Sequence, residues 1–276
     1  MTEEKLRRIL LALGAVFTLL FCLSPFFYMV LTGVSLHPDF LRPHVPFIAT
    51  GSHLQTVLTS ESIHFLAFLQ NSLIVSSLSA VLAVLIASLA AYAVTRLPFP
   101  GKKFLMIAIL AVSMFPQVSV VHYLFKLMAA LGWINTYPAL VFPYVAWTLP
   151  LSLWILSSYF AQIPRDLDKA GLVDGCSRLQ VLFKIILPVA APGVFSTGLL
   201  AFIAAFNEFL FALMLTTDYA ARTIPVGIAF FQGLHGQIPW GEIMAAATLT
   251  TIPVVTLTVI FQRRIIQGLT RGAVKE

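Results

Sequence analysis

Residues 163–192 read IPRDLDKAGLVDGCSRLQVLFKIILPVAAP and lie between two long apolar runs. The segment is dense in charge, although only 10% of the chain is charged and 59% is hydrophobic. Its charged residues are Arg165, Asp166, Asp168, Lys169, Asp174, Arg178 and Lys184. A membrane protein that places a charged, helix-capable segment between spans presents a surface to water, so the function depends on what that surface meets.

The composition of the 276 residues is that of a membrane protein, with a mean hydropathy of +0.93. Soluble domains average about 25% charged residues, and apolar runs of about 18 residues or more indicate transmembrane helices. We therefore expect an all-α polytopic membrane protein with six transmembrane helices in a single domain, 1–276. The predicted spans are 9–32, 68–95, 104–130, 138–160, 194–216 and 243–262.

The basic residues of the chain cluster at the ends of these spans. With both termini in the cytoplasm, the inner segments hold fourteen of the seventeen Lys and Arg residues, and the outer loops hold only Arg42 and Arg222. This asymmetry follows the positive-inside rule and places residues 163–192 in the cytoplasm. It also explains the net charge of +6 without nucleic acid as a partner.

The turn chemistry of residues 163–192 predicts two short helices. Pro164 can begin the first helix, Asp174-Gly175 is a turn dipeptide, and Ser177 can cap the second helix. The apolar positions are Leu167, Ala170, Gly171 and Val173 on the first helix and Val181, Leu182, Ile185 and Ile186 on the second. We expect Pro188 and Pro192 to break the second helix. The pattern fits a helix docked on another protein and, equally, a hairpin lying on lipid.

The same segment resembles the EAA loop of permease subunits from type I ATP-binding-cassette (ABC) importers. Lys169-Ala170-Gly171 is followed by Asp174-Gly175 and then by Phe183, Ile186 and Leu187-Pro188. Lys169 stands where that family has Glu, and Gly171 where it has a second Ala. Asp168 could supply the missing acidic charge.

Three further segments resemble the carbohydrate-uptake branch of that family, the MalG-type permeases. They are LGWINTYPAL at 131–140, FNEFLFAL at 206–213 and QGLTRGAVK at 267–275. The resemblance covers nearly the whole chain and implies the type I importer fold in the cytoplasmic (inner) membrane.

The resemblance also implies the partners of the chain. These are a homologous second permease, two ABC ATPase subunits, an extracytoplasmic solute-binding protein, a sugar and the lipid bilayer. ATP and Mg would be used by the ATPase subunits and no cofactor by this chain, since Gly101-Lys102 lacks the remainder of a phosphate-binding loop. The residues expected to couple to the ATPase are Asp168, Lys169, Ala170, Gly171, Asp174 and Gly175.

Polar and aromatic residues within the predicted spans are candidates for the substrate path. Asn207 and Glu208 could bond sugar hydroxyls, or could instead bond a neighbouring helix or the partner permease. Tyr144 and Trp147 could stack on a sugar, although packing is the commoner role of such residues. In the loop at 217–242, the tip at Gly233, Leu234 and Gly236 could enter the binding protein or could be a plain surface loop.

Other functions compete with sugar import. A permease for glycerol 3-phosphate or another small polar solute stays open, and the charge of Glu208 favours a neutral sugar only slightly. An ion-coupled secondary transporter usually has more spans with internal symmetry. A membrane enzyme lacks support, because we find no nucleophile–base pair, and the six His residues show no metal-ligand spacing on a predicted helix.

Overall fold

A computed structural model describes residues 3–39, 41–42, 44–231 and 238–273, and most of these residues are helical. The helices are α1 Glu3–Gly33, α2 Ser52–Thr59, α3 Phe65–Arg96, α4 Lys102–Ser113, α5 Gln117–Ala130, α6 Tyr137–Gln162, α7 Asp166–Val173, α8 Arg178–Val181, α9 Leu187–Val189, α10 Ala191–Phe206, α11 Leu210–Leu215, α12 Ile224–Ala229 and α13 Trp240–Ala273. A π-helical turn, Leu182–Ile186, joins α8 to α9. Within the described ranges the only β-type pairing is an isolated bridge between Ser35 and Ala49. The predicted all-α class is confirmed.

Four of the predicted spans are single helices. The segments Glu3–Gly33, Phe65–Arg96, Tyr137–Gln162 and Trp240–Gln262 are long and apolar enough to cross a membrane. Two further pairs of helices pass the same test together but are sharply bent. Among the residues described, length and composition therefore allow four spans, or six when each bent pair counts as one.

The predicted span 104–130 is not one straight helix, because α4 and α5 diverge by 90°. The bend falls at residues 114–116, where Pro116 has an extended backbone (φ −67°, ψ 131°) and precedes α5. Proline has no N–H to continue the helix, and its ring disfavours helical geometry at the residue before it. The expected continuity of this span was wrong for that reason.

The predicted span 194–216 is also interrupted, since α10 ends at Phe206 and α11 begins at Leu210. On the other side of α10, an 86° bend separates Val189 from Ala191. That bend lies between Pro188 and Pro192, the two residues expected to break the helix there.

Contacts divide the chain into two units, which we describe separately. The first comprises 1–65 and 228–252. Within it, α1 approaches α13 closely: a Cβ at Gly33 would lie 2.9 Å from the Ala245 nitrogen. The outer segment 33–67, expected as a loop, contains α2, whose His53 Nδ1 lies 3.0 Å from Glu242 Oε1.

The second unit comprises 66–227 and 253–276. One buried cluster joins α3, α5, α6 and α11 around residues such as Val75, Met128, Tyr144 and Leu215. Another joins α3 and α6 to the 178–190 segment. The second half of the 163–192 hairpin is thus part of the core of this unit. The expectations of a single domain and of cytoplasmic termini stay predictions.

The close contact between α12 and α3 gives a test of this packing. A Cβ at Gly227 would overlap the Phe68 ring, whereas a Cβ at Gly198 would meet Val84 Cγ2 at an ordinary 3.7 Å. We expect Gly227→Ala to lower stability by about 1–3 kcal/mol through overpacking. The matched variant Gly198→Ala should leave stability unchanged or raise it, because alanine favours helix.

The measurement for both variants is the midpoint of thermal unfolding in detergent. Equal midpoints for Gly227→Ala and the unaltered protein would contradict the close packing of α12 on α3.

Candidate functional site

The turn of the 163–192 hairpin is built from local hydrogen bonds. The Cys176 N–H donates to the Gly171 carbonyl at 2.9 Å and the Gly175 N–H to the Leu172 carbonyl at 3.2 Å, which is the Schellman pattern that ends a helix. Gly175 has a φ of 83°, a conformation that glycine adopts without strain. The predicted helix ending at Asp174-Gly175 is confirmed.

The second helix of the hairpin begins as predicted at Ser177. Its hydroxyl accepts from the Gln180 N–H at 3.3 Å, and the Gln180 side chain accepts from the Ser177 N–H at 2.7 Å. This reciprocal pair is a capping box. The hairpin therefore has a defined angle, because both helix ends at the turn are satisfied.

The first helix of the hairpin, α7, turns Gly171 and Asp168 inward. A Cβ at Gly171 would lie 2.6 Å from Ile185 Cδ1, so glycine here permits close packing of α7 on the second half of the hairpin. The predicted apolar face of α7 is therefore divided: Gly171 is buried inside the chain, whereas Ala170 and Val173 are exposed.

Four apolar side chains of the hairpin are exposed, and together we call them the hairpin patch. It consists of Leu172, Val173, Leu179 and Phe183. Val173 is 86% exposed. Exposed apolar side chains on a segment dense in charge are a candidate interaction surface.

The charges of α7 separate into an exposed pair and a buried one. Lys169 Nζ lies 3.0 Å from Asp166 Oδ1, and both side chains are exposed. Asp168 is buried, and its Oδ2 lies 3.2 Å from Arg96 Nε. Asp168 therefore does not present its charge at the surface of α7, contrary to the suggestion that it replaces an exposed acidic residue.

The break between α10 and α11 is stabilised by Glu208. Its Oε1 accepts from the Phe211 N–H at 2.8 Å and its Oε2 from the Ala212 N–H at 3.2 Å. Asn207 donates from Nδ2 to the Ile203 carbonyl at 2.8 Å. These side chains supply partners for backbone groups at the break, so the two polar residues account for the interruption of the predicted span.

The four residues expected on the substrate path lie around the break between α10 and α11, but they differ in exposure. Tyr144 is buried and interacts with the buried Glu208. Asn207 is exposed. Trp147 is 36% exposed and contacts Phe211 edge-to-face, with ring centroids 6.4 Å apart.

Trp147 lines a cavity of about 350 Å³ between α4, α6 and α10. Residues with aromatic rings and residues with hydroxyl groups line this cavity together. The residues that carry these groups are Ser113, Trp147, Thr148, Ser152, Trp154 and Thr197. Thr148, Ser152 and Thr197 each donate their hydroxyl proton to the carbonyl four residues earlier, at 2.8 Å.

Hydrogen bonds from residues of the 131–140 motif anchor the segment that follows α11. The Asn135 N–H donates to the Leu215 carbonyl at 2.9 Å, and the Tyr137 hydroxyl donates to Asn71 Oδ1 at 2.7 Å. Asn71 Nδ2 in turn donates to the carbonyls of Tyr219 and Arg222. The motif thus holds the segment that follows the broken helix.

Asp218 lies in this fastened segment. A hydrogen bond with the Asn135 side chain and a second from the Ala220 N–H lower the pKa of the Asp218 carboxyl. The carboxylate is therefore the form that this turn favours.

Two expectations concern other parts of the chain. The loop tip at Gly233, Leu234 and Gly236 lies outside the described residues. In the parts that are described, no group of three His, Cys, Asp or Glu side chains could hold a metal ion.

The sequence did not single out Arg96, Ser152, Trp154 or Thr197. Arg96 was explained by the positive-inside rule, which hid its pairing with Asp168. Trp147, Leu151 and Trp154 recur at helical spacing on α6 and could have indicated the cavity.

Comparisons with known proteins give the family. Residues 83–271 match the family described as binding-protein-dependent transport system inner membrane component. The trehalose/maltose transport system permease protein MalG of Thermococcus litoralis is 55% identical over 276 residues, which cover 100% of this chain and 99% of that protein.

Two more relatives are similar over most of their length. The sulfoquinovosyl glycerol transport system permease protein SmoH of Agrobacterium fabrum is 43% identical, over 84% of this chain and 80% of its own. The trehalose transport system permease protein SugB of Mycobacterium tuberculosis is 46% identical, over 76% of this chain and 77% of its own.

The fold is shared with solved transporters. A chain of a bacterial ABC transporter involved in the import of the acidic polysaccharide alginate has a TM-score of 0.79 at 18% identity, with 95% of this chain and 98% of that chain covered. The same type of transporter, in complex with an alginate pentasaccharide-bound periplasmic protein, gives a TM-score of 0.69 at 16% identity, with 94% and 93% covered. This chain belongs to the family of binding-protein-dependent transport system inner membrane components.

Proposed function

We propose that this chain is a permease subunit of an ATP-driven importer that moves a sugar across the cytoplasmic membrane. The observation that carries the proposal is the hairpin patch, which a rigid turn and two satisfied helix ends hold at the surface. The relatives named for trehalose and maltose transport support the sugar as cargo.

The proposed partners follow from the same surface and from the family. The hairpin patch docks on an ATPase subunit, and two such subunits use ATP and Mg²⁺ for the assembly. A second, homologous permease completes the membrane path, and an extracytoplasmic binding protein delivers the sugar. The family description and the alginate transporter solved with its periplasmic protein support the last of these.

The cavity beside Trp147 is the proposed substrate path. Sugar rings stack their C–H faces on aromatic rings, and sugar hydroxyls donate and accept hydrogen bonds. The hydroxyls of Thr148, Ser152 and Thr197 use their protons on backbone carbonyls. Their free lone pairs can therefore accept from sugar hydroxyls.

The other path candidates have different proposed roles. Asn207 is exposed and can meet the substrate directly. Glu208 and Tyr144 are buried, so they shape the path by holding the break between α10 and α11. The carboxyl oxygens of Glu208 already accept from two backbone N–H groups, so its proposed role is to hold the break rather than to bind the cargo.

The experiment that tests the function is reconstitution with the ATPase subunits, the second permease and the binding protein in liposomes. The panel holds maltose, trehalose, a sulfonated glycoside and glycerol 3-phosphate. We expect ATP-dependent uptake of maltose or trehalose. Uptake of glycerol 3-phosphate alone would overturn the sugar assignment, and uptake of the sulfonated glycoside alone would overturn maltose and trehalose as cargo. Uptake driven by an ion gradient without ATP would overturn the transporter class.

The turn at Gly175 gives a prediction on coupling. Gly175→Val places a β-branched residue at a φ of 83°, which costs about 1–3 kcal/mol of backbone strain and distorts the hairpin. We expect loss of sugar uptake with the protein still in the membrane. A Cβ at Gly175 meets nothing within 4 Å, so a clash cannot explain the loss.

Gly175→Asn is the matched control, because asparagine tolerates the left-handed conformation, and it should keep most of the uptake. The measurements are uptake in liposomes and the amount of permease in the membrane fraction. Normal uptake by Gly175→Val would contradict the coupling role of the turn.

The cavity gives a second prediction. Trp147→Ala should raise the KM for the transported sugar about 3- to 10-fold, because an aromatic contact contributes about 0.5–1.5 kcal/mol. Trp147→Phe should keep most of the affinity, and basal ATP hydrolysis should not change in either variant.

The control for Trp147 is Phe142→Ala, which removes an exposed aromatic residue of α6 that does not line the cavity. Concentration-dependent uptake is the measurement. A KM equally raised by Phe142→Ala would count against the cavity as the path.

A further inference from the structure

Arg96, the last residue of α3, joins three helices through one guanidinium group. Its Nη2 donates to the Ile163 carbonyl at 2.8 Å, at the end of α6. Its Nε lies 3.2 Å from Asp168 Oδ2 on α7. The two side chains are only 5% and 12% exposed, so the pair is largely shielded from water.

A second hydrogen bond also connects the start of α7 with the end of α3. Arg165 Nη2 donates to the Thr95 carbonyl at 3.4 Å, so the start of α7 is tied to the end of α3 twice. Tyr92, one turn earlier on α3, also interacts with the Asp168 carboxylate. The inward side of α7 is therefore attached to α3, while Leu172 and Val173 of the hairpin patch are exposed on the same helix.

The geometry of the Arg96–Asp168 pair is that of an ion pair without an aligned hydrogen bond. Arg96 Nε lies within ion-pair distance of Asp168 Oδ2 but makes no aligned hydrogen bond to it. Coulomb attraction depends on distance and only weakly on angle. Such a pair can hold two helices together while one of them rotates against the other.

Stability alone does not account for a buried pair here. Removing two charges from water costs about as much as their attraction returns, and apolar residues of similar volume are often as stable. The exposed Asp166–Lys169 pair shows that α7 can place an acidic residue in water only two positions away. Asp168 instead carries its charge into the protein, towards the end of a membrane helix.

We propose that the Arg96–Asp168 pair is a pivot through which movement of α7 passes into α3 and α6. This rests on the proposed function, since the movement is the one that the ATPase subunits impose on the hairpin patch. Arg96 and Asp168 are positioning residues: they touch neither the sugar nor ATP, and they set how far the membrane helices follow α7.

The test uses the assembled transporter in liposomes and measures how strongly the loaded binding protein, added outside, stimulates ATP hydrolysis inside. Asp168→Asn keeps the shape of the side chain and removes its charge. We expect stimulation to fall about tenfold, within the range typical of coupling between two sites, while basal hydrolysis and co-purification of the ATPase are kept. Asp166→Asn, which removes the exposed carboxylate of the same turn, should leave stimulation unchanged.

A double variant separates a pivot from a packing role. Arg96→Met with Asp168→Leu leaves no unpaired charge, so it should assemble even if Asp168→Asn does not. We expect it to be uncoupled as well, whereas Arg96→Lys, which keeps the charge, should retain most of the stimulation.

Three outcomes would overturn the pivot. These are normal stimulation in the double variant, loss of ATPase co-purification in it, or an equal fall of basal and stimulated hydrolysis. The readout does not require net uptake. A wild-type complex that is stimulated but takes up none of the sugars would therefore defeat the proposed function, while the same variants would still decide the pivot.

Discussion

Backbone groups inside a bilayer must find hydrogen-bond partners within the protein, and this constraint governs where the membrane helices of this chain can stop. The break after α10 exists because Glu208 accepts the N–H groups of Phe211 and Ala212. At the C-terminal end of α6, Arg96 donates a hydrogen bond to the carbonyl of Ile163. Glu208 and Arg96 therefore each serve as a partner of the backbone.

The same constraint acts at two places, the break between α10 and α11 and the end of α6, where the hairpin begins. A helix that stops inside the membrane can present side chains at angles that a continuous helix cannot, and Trp147 of α6 packs on Phe211 directly after the break. At the C-terminal end of α6, the hydrogen bond from Arg96 to the Ile163 carbonyl fixes the point where α6 ends and the segment leading to α7 begins. The exposed residues of the hairpin patch therefore belong to a hairpin whose second half is buried in the core.

The parts that could be predicted from the sequence are those that depend on neighbouring residues. The turn at Gly175 and the cap at Ser177 involve bonds over three to five positions, and both were predicted. Pro116 could be seen in the sequence, but Pro143 and Pro150 remain inside α6, so proline alone does not decide whether a membrane helix bends. The bond from Arg96 to Ile163 spans 67 positions, and no local pattern signals it.

Lys169 stands where the EAA loop has Glu, and the arrangement of charges on α7 explains how a basic residue is accommodated there. Lys169 pairs with Asp166 in water, and Asp168 is withdrawn to Arg96. These two pairings neutralise the charged residues of the helix, so α7 offers its partner the apolar side chains of the hairpin patch rather than a net charge. Apolar contact is insensitive to salt, whereas exposed ion pairs are screened. Docking through this surface would consequently depend on burial of Val173 and its neighbours, and the basic residue at position 169 need not oppose it.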